Sequence, residues 1–191
     1  MRPEPDNAFE PPPAVLPPRP YAPNGKALLL PQQLPTAVAT ALGPRSGAQA
    51  EGGALLYGER GRDGQPDTVR GLVVPAQIRN RRNYHIPRES ITAASTATRE
   101  HGWVVLAQAH THPGRHVEHS WYDDRNAISA KALSFVAPDF GADPGQWLAG
   151  VGVHEFQTDW WHLLTVEQAN ARVVLADLPL TTLDLRSSVA R

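Results

Sequence analysis

The run Trp103-Val104-Val105-Leu106-Ala107-Gln108-Ala109, followed directly by His110-Thr111-His112-Pro113, constrains this chain more than any other segment. Seven residues that are apolar apart from Gln108, and that include a β-branched pair, spell a buried strand. Proline lacks the N–H that the next pairing requires, so the strand stops at Pro113. Side chains alternate along a strand, which puts His110 and His112 on one face and Thr111 on the other. The same parity takes in Gln108, Leu106 and Val104. A strand anchored in the core thus delivers two imidazoles at its end, a chelating pair that needs a third ligand.

That ligand is not sulfur. The chain has no cysteine, which removes disulfides, thiolate metal sites and cysteine nucleophiles together. A short way on stands Ser120-Trp121-Tyr122-Asp123, with a helix read from Asp123 or Asp124 to about Phe135 and Ile128, Ala132 and Leu133 on one of its faces. A carboxylate at that helix start can cap it and turn its free oxygen toward the histidines. Two histidines and one aspartate leave the fourth position of a tetrahedral zinc to water, the open arrangement of a catalytic site. Such a site also needs a base near the metal but not on it. Glu51 is the candidate, because Gly52 and Gly53 after it allow the backbone to approach closely.

With 191 residues the chain can bury one good core, and it falls short of the roughly 250 of a (β/α)₈ barrel. Its 18 basic and 19 acidic residues leave a net charge of −1, no footprint for nucleic acid or an anionic membrane. No apolar run approaches the ~20 residues of a membrane span. No secretory signal opens the chain, so a cytoplasmic location is expected. Residues 1–25 carry Pro11-Pro12-Pro13, Pro17-Pro18, Pro20 and Pro23 and read as a disordered tail; residues 34–180 read as one domain.

Within that domain a short helix runs from Leu34 to Leu42 and ends at Gly43-Pro44. A hairpin of Ala54–Gly58 and Val69–Val74 turns around Asp63-Gly64. A second helix runs from Arg88 to about Glu100. Leu148–Phe156, Trp160–Val166 and Arg172–Ala176 read as strands. The class is α/β in the broad sense, an α+β sandwich with one mixed sheet flanked by helices. His116 and His119 read as solvated loop residues, His154 and His162 as sheet residues, and Arg79, Arg81 and Arg82 as a solvated loop. Glu118 and Asp124 are the remaining competitors as ligand or base.

Glu51 ahead of Gly52-Gly53-Ala54-Leu55-Leu56-Tyr57-Gly58, then His110-Thr111-His112-Pro113, then Ser120 and Asp123 together resemble the JAMM (MPN+) metalloprotease signature. Seven residues separate His112 from Ser120, as in that signature, and the likeness runs from about Leu34 to Val166. Ala54 departs from it, standing where glycine is more usual. The compact form is similar to the stand-alone prokaryotic branch. The resemblance implies a cytidine-deaminase-like core and one zinc ion per chain, held by His110, His112 and Asp123. Glu51 would act as base and then acid, and Ser120 would hydrogen-bond the oxyanion.

It further implies cleavage after the flexible C-terminus of a ubiquitin-like protein, either from a conjugate or from a precursor. That tail would dock as an added strand between Gln77 and Pro87, near Ile78, Tyr84 and Ile86. E1-like and E2-like enzymes, in some cases in antiphage operons, are the implied partners. The alternatives are a sulfur-carrier-processing peptidase, a metal-free MPN scaffold and a relative associated with DNA repair. The retained Glu51, His110, His112 and Asp123 speak against the scaffold, and the neutral charge against the last.

Overall fold

The computed structural model describes residues 20–23, 25–44, 49–125, 132–157 and 160–186. Most of the proline-rich stretch and Ile128 lie outside them. Leu28–Pro31 forms β1, and Leu34–Leu42 forms α1, with Pro35 in the first turn, where its missing N–H is no loss. Gly53–Glu59 (β2) and Asp67–Val74 (β3) pair antiparallel, and Asp63 and Gly64 turn the corner with φ of 50° and 82°. Ile78–Arg79 (β4) and Tyr84–His85 (β5) make a separate two-stranded ribbon. Arg88–Ala97 is α2, followed by a 3₁₀ turn at Arg99–His101 and by β6, Val104–Thr111. Then come α3 (Trp121–Arg125), β7 (Leu133–Ala137), β8 (Gly152–Gln157), β9 (Trp160–Leu163), α4 (Val166–Arg172), β10 (Val173–Ala176) and β11 (Thr181–Asp184).

Nine of these strands form one mixed sheet in the order β10-β1-β3-β2-β6-β7-β8-β9, with β11 pairing β3 alongside β1. The sheet therefore includes Leu28–Pro31 and Thr181–Asp184, which flank the 34–180 span. On one face α1 packs Leu34, Val38, Ala41 and Leu42 against Leu56, Leu72, Ala107, Ala109, Leu133 and Phe135. On the other, Ala94 of α2 meets Leu55, Tyr57 and Val73, with Trp103 and Val105 at the edge. This is the α+β sandwich that the alternation of elements implies. No helix among the described residues is long and apolar enough to cross a membrane.

Three expectations fail, each for a physical reason. Of the helix expected from Asp123 or Asp124 to Phe135, the described residues show α3 over Trp121–Arg125, and its far end is instead a strand at Leu133–Ala137, fully buried and parallel to β6. A strand covered on both faces shows no alternation, so a short apolar run does not separate it from a buried helix. Trp160–Val166 stops at Leu163 because Thr165 and Gln168 form a capping box that starts α4 and takes Arg172 into it. Third, the strict parity of β6 is broken. Leu56 pairs with Ala107 and Tyr57 with Val105, leaving Leu106 as a bulge. Gln108 keeps the histidine face, whereas Leu106 joins Ala107 in the α1 core and Val104 is 41% exposed.

Tyr21 and Lys26 are tied to β8 and α4 through a buried ion pair. Arg172 Nε donates to Glu155 Oε2 at 3.3 Å, Tyr21 Oη donates to the same oxygen at 2.8 Å, and Arg172 Nη1 donates to the Lys26 carbonyl. Glu155→Ala leaves Arg172 buried without its charge partner. The expected loss is about 3–5 kcal/mol of unfolding free energy, read from urea denaturation.

Candidate metal centre

The end of β6 is fixed before any ligand enters. His112 N–H donates to the Ala137 carbonyl, and its own carbonyl accepts from Phe140 N–H at 2.8 Å. Phe140 belongs to a turn in which Asp139, Phe140 and Gly141 all adopt left-handed φ, at 49°, 57° and 74°. Two consecutive non-glycine residues there store backbone strain against the segment that carries His112. The Ser120 hydroxyl and N–H both donate to Asp123 Oδ2, at 2.6 and 2.8 Å, and Asp123 N–H returns a 3.4 Å bond to Ser120 Oγ. The carboxylate is thereby aimed from the first turn of α3 across to β6.

His110 Nε2 lies 3.3 Å from His112 Nε2 and 3.5 Å from Asp123 Oδ1, and His112 Nε2 lies 3.3 Å from Asp123 Oδ2. Metal–ligand bonds of about 2.0–2.1 Å give a tetrahedron an edge of roughly 3.3–3.4 Å, so the two imidazole nitrogens stand one such edge apart, with a carboxylate oxygen near each. All three residues are buried, and they are the group among the described residues whose donor atoms could hold a metal ion together. His110 Nδ1 is buried with no hydrogen-bond partner among the described residues. Two nitrogens and a carboxylate oxygen, with no sulfur, suit a divalent ion of borderline hardness. The residues fit the metal.

The charges follow from this packing. Burial pushes His110 down to about 3, so it stays neutral, the state that ligates. Burial also works against protonated His112, but its bond to Asp123 and that carboxylate's charge outweigh it and raise the group. Asp123 is desolvated too, yet the His112 bond, nearby His110 and the two Ser120 bonds hold it well below the usual carboxylate range. Glu51 rises to about 7, chiefly through burial, with His112 lowering it and Asp123 raising it.

Glu51 lines the same cleft as His112, Ser120 and Asp123, an open space of about 450 Å³ walled by Arg82, Asn83, Trp121 and Tyr122. Arg79 fixes its backbone. Arg79 Nε donates to the Glu51 carbonyl at 2.6 Å, and its Nη2 donates to Ala50 and Leu42 carbonyls at 2.6 and 2.8 Å. This corrects the reading of Arg79 as a solvated loop residue. A Cβ on Gly52 would fall 2.7 Å from that guanidinium and would displace it from these carbonyls.

Of the residues expected to line a tail groove, Tyr84 packs its ring 5.7 Å from that of His110, with its hydroxyl pKa raised by burial. Tyr84 and Ile86 border a small pocket of about 110 Å³ with Leu55, Ile91, Gln108 and Tyr122. Ile78 is 68% exposed and lines neither space. His119 is the second correction. It is buried rather than solvated, stacked on His154 at 3.7 Å between ring centroids, and its nitrogens are occupied by Asp124 and Ser134.

The family model for prokaryotic homologs of the JAB domain matches residues 38–163, from α1 through β9. The chain belongs to that family. Among solved structures, a protein of Desulfitobacterium hafniense, determined in solution by structural genomics, is similar to this JAB domain with a TM-score of 0.54. It is 20% identical, and the match covers 80% of this chain and 94% of that one, so the likeness is one of fold. No curated protein matches the chain.

The raised Glu51 carboxyl has a consequence for stability. Its folded pKa of about 7 lies above the ordinary 4.5, so between these values the folded state holds a proton that the unfolded chain has released. Stability from this group is full below about 4.5 and is lost as pH rises through 7. Chelator-treated Glu51→Gln should therefore exceed chelator-treated wild type by on the order of 2–3 kcal/mol at pH 8. The gain should shrink toward zero as pH falls to 4.5, in paired denaturant titrations.

Proposed function

We propose that this JAB domain is a zinc-dependent peptidase that cleaves the peptide or isopeptide bond after the C-terminus of a ubiquitin-like protein. One observation carries the reading: a complete and buried His110–His112–Asp123 donor set lies beside an open cleft that Glu51 also lines. Zinc bound at these donors would supply the Lewis acid that makes water nucleophilic near pH 7. Glu51, which lines the cleft and whose backbone Arg79 anchors, would accept the proton of the attacking water and return it to the leaving amine. Ser120 orients Asp123, and its hydroxyl reaches the substrate oxygen by exchanging that bond. A scaffold without catalysis has no use for a base at the edge of a full ligand set.

The shape of the surroundings supports an extended substrate. The cleft is shallow and open, and the β4–β5 ribbon beside it pairs with no third strand among the described residues. A flexible tail can add to that ribbon through backbone hydrogen bonds, and small residues beside the scissile bond would let it lie close to the ligands. E1-like and E2-like enzymes would then stand upstream of the conjugates this chain removes.

Glu51→Gln should keep its zinc while turnover falls by about 10²–10⁴-fold, since an amide cannot accept the proton. Metal analysis and rate measured on the same preparation check both halves. A ubiquitin-like protein carrying a C-terminal extension should be cut immediately after its terminal glycine, as read by mass spectrometry. Chelation should stop the cut, and thiol-alkylating reagents should not. Cleavage within folded regions, or cleavage that survives full removal of zinc, would overturn the proposal.

A further inference from the structure

Beside the three ligands runs a second chain of polar contacts that the proposed chemistry does not use. Gln108 Nε2 donates to Ser134 Oγ at 3.2 Å, Ser134 Oγ lies 3.0 Å from His119 Nε2, and His119 Nδ1 lies 3.2 Å from Asp124 Oδ1. A carboxylate only accepts, so Nδ1 carries the hydrogen toward Asp124, and Nε2 accepts the Ser134 hydroxyl hydrogen. Every link is then used once and in one direction. The chain begins two residues before His110 on β6, crosses β7, and ends one residue after Asp123 on α3. It connects the same two elements as the ligand set, and the His119 ring itself borders the cleft, 5.6 Å from that of His110. The His119 ring is further gripped by His154 at 3.7 Å and by the Trp161 edge at 4.9 Å, and His154 Nε2 donates to the Val117 carbonyl at 2.8 Å.

We infer that His119 is a positioning residue that sets the separation between the strand end bearing His110 and His112 and the helix bearing Asp123. This rests on the metal reading above for its consequence, and on the hydrogen-bond chain alone for its geometry. Without the chain, Asp123 is held by Ser120, which belongs to the same loop, and across to β6 only by its own contacts with the two histidines. With it, the three donors stand at ligand spacing before the ion arrives, and less reorganisation accompanies binding.

The test uses the full chain, stripped of metal, with zinc as the probe. Affinity is read by competition with a chromophoric chelator. Amide hydrogen exchange over residues 116–124 is read on the metal-free protein. His119→Phe keeps a ring for the stack and removes both hydrogen bonds; Asp124→Ala removes the acceptor and Asp124→Asn retains one. His119→Phe and Asp124→Ala should weaken zinc about 10–100-fold, with the double variant no weaker than His119→Phe alone. Asp124→Asn should stay within about twofold of wild type.

Exchange should quicken in the two weakened variants only. Wild-type affinity and exchange in His119→Phe would overturn the inference. So would equal losses in Asp124→Asn and Asp124→Ala, which would assign the effect to charge. Asp124 is partly exposed, so its variants carry the test if His119→Phe does not fold. A wild-type chain that binds no zinc would sink the metal reading, while the exchange comparison would still decide this one.

Discussion

Two imidazoles and a carboxylate pressed together away from water are an unfavourable arrangement, and the surrounding structure is organised to sustain it. An ionised carboxylate loses several kcal/mol when it leaves water unless its lone pairs are taken up. Asp123 recovers this from Ser120 N–H and Oγ–H and from His112. The histidines have less. His110 is enclosed, its Nδ1 without a hydrogen-bond partner among the described residues, and the strand it belongs to holds it there. The energy that fixes this geometry therefore comes from the sheet and its cores.

The path from sheet to site is short. β6 is central, between β2 and β7, and its last residues bond to both: Gly52 N–H donates to Thr111 Oγ1, Thr111 N–H to the Gly52 carbonyl, and His112 N–H to Ala137. Those contacts bring Glu51 to the same strand end as the ligands, although it lies about sixty residues earlier in sequence. The left-handed turn at Asp139–Gly141 closes over the exit of β6, with Phe140 N–H bonded to the His112 carbonyl and Asp139 N–H to that of Gly114. A central strand supplies the histidines, and a short helix behind a tethered loop supplies the aspartate.

What the sequence disclosed was what local chemistry encodes. The proline stop after His112, the spacing to Ser120 and Asp123 and the glycines after Glu51 are short-range features, and each names its residue. The hairpin around Asp63-Gly64 and the helix ending at Gly43 were legible for the same reason. What stayed hidden depends on partners distant in sequence. Leu106 bulges because β2 and β6 slip register, which neither strand shows alone. Leu133–Ala137 is a strand because β6 and β8 flank it. His119, in a polar loop, looked solvated, since its partners Ser134, His154 and Trp161 come from three later strands. Arg79 looked the same, and the clue available was the pair of glycines whose missing side chains make room for it and for Tyr84.

The placement of β1 carries a consequence for how the chain comes to be folded. Leu28–Pro31 is flanked in the finished sheet by β3 and by Val173–Ala176, with Leu28 opposite Val173. Synthesis proceeds at about 5–20 residues per second, so β1 waits many seconds for its second neighbour. Closing so long a loop is slow, since its entropy is lost before the pairing repays it. During that interval one edge of β1 presents unpaired backbone groups, and the α1 core lacks the wall that β10 completes. While β10 is still being made, the chain thus holds β2, β3 and β6 able to pair beside a β1 still open to neighbours, the point at which a chaperone would find it.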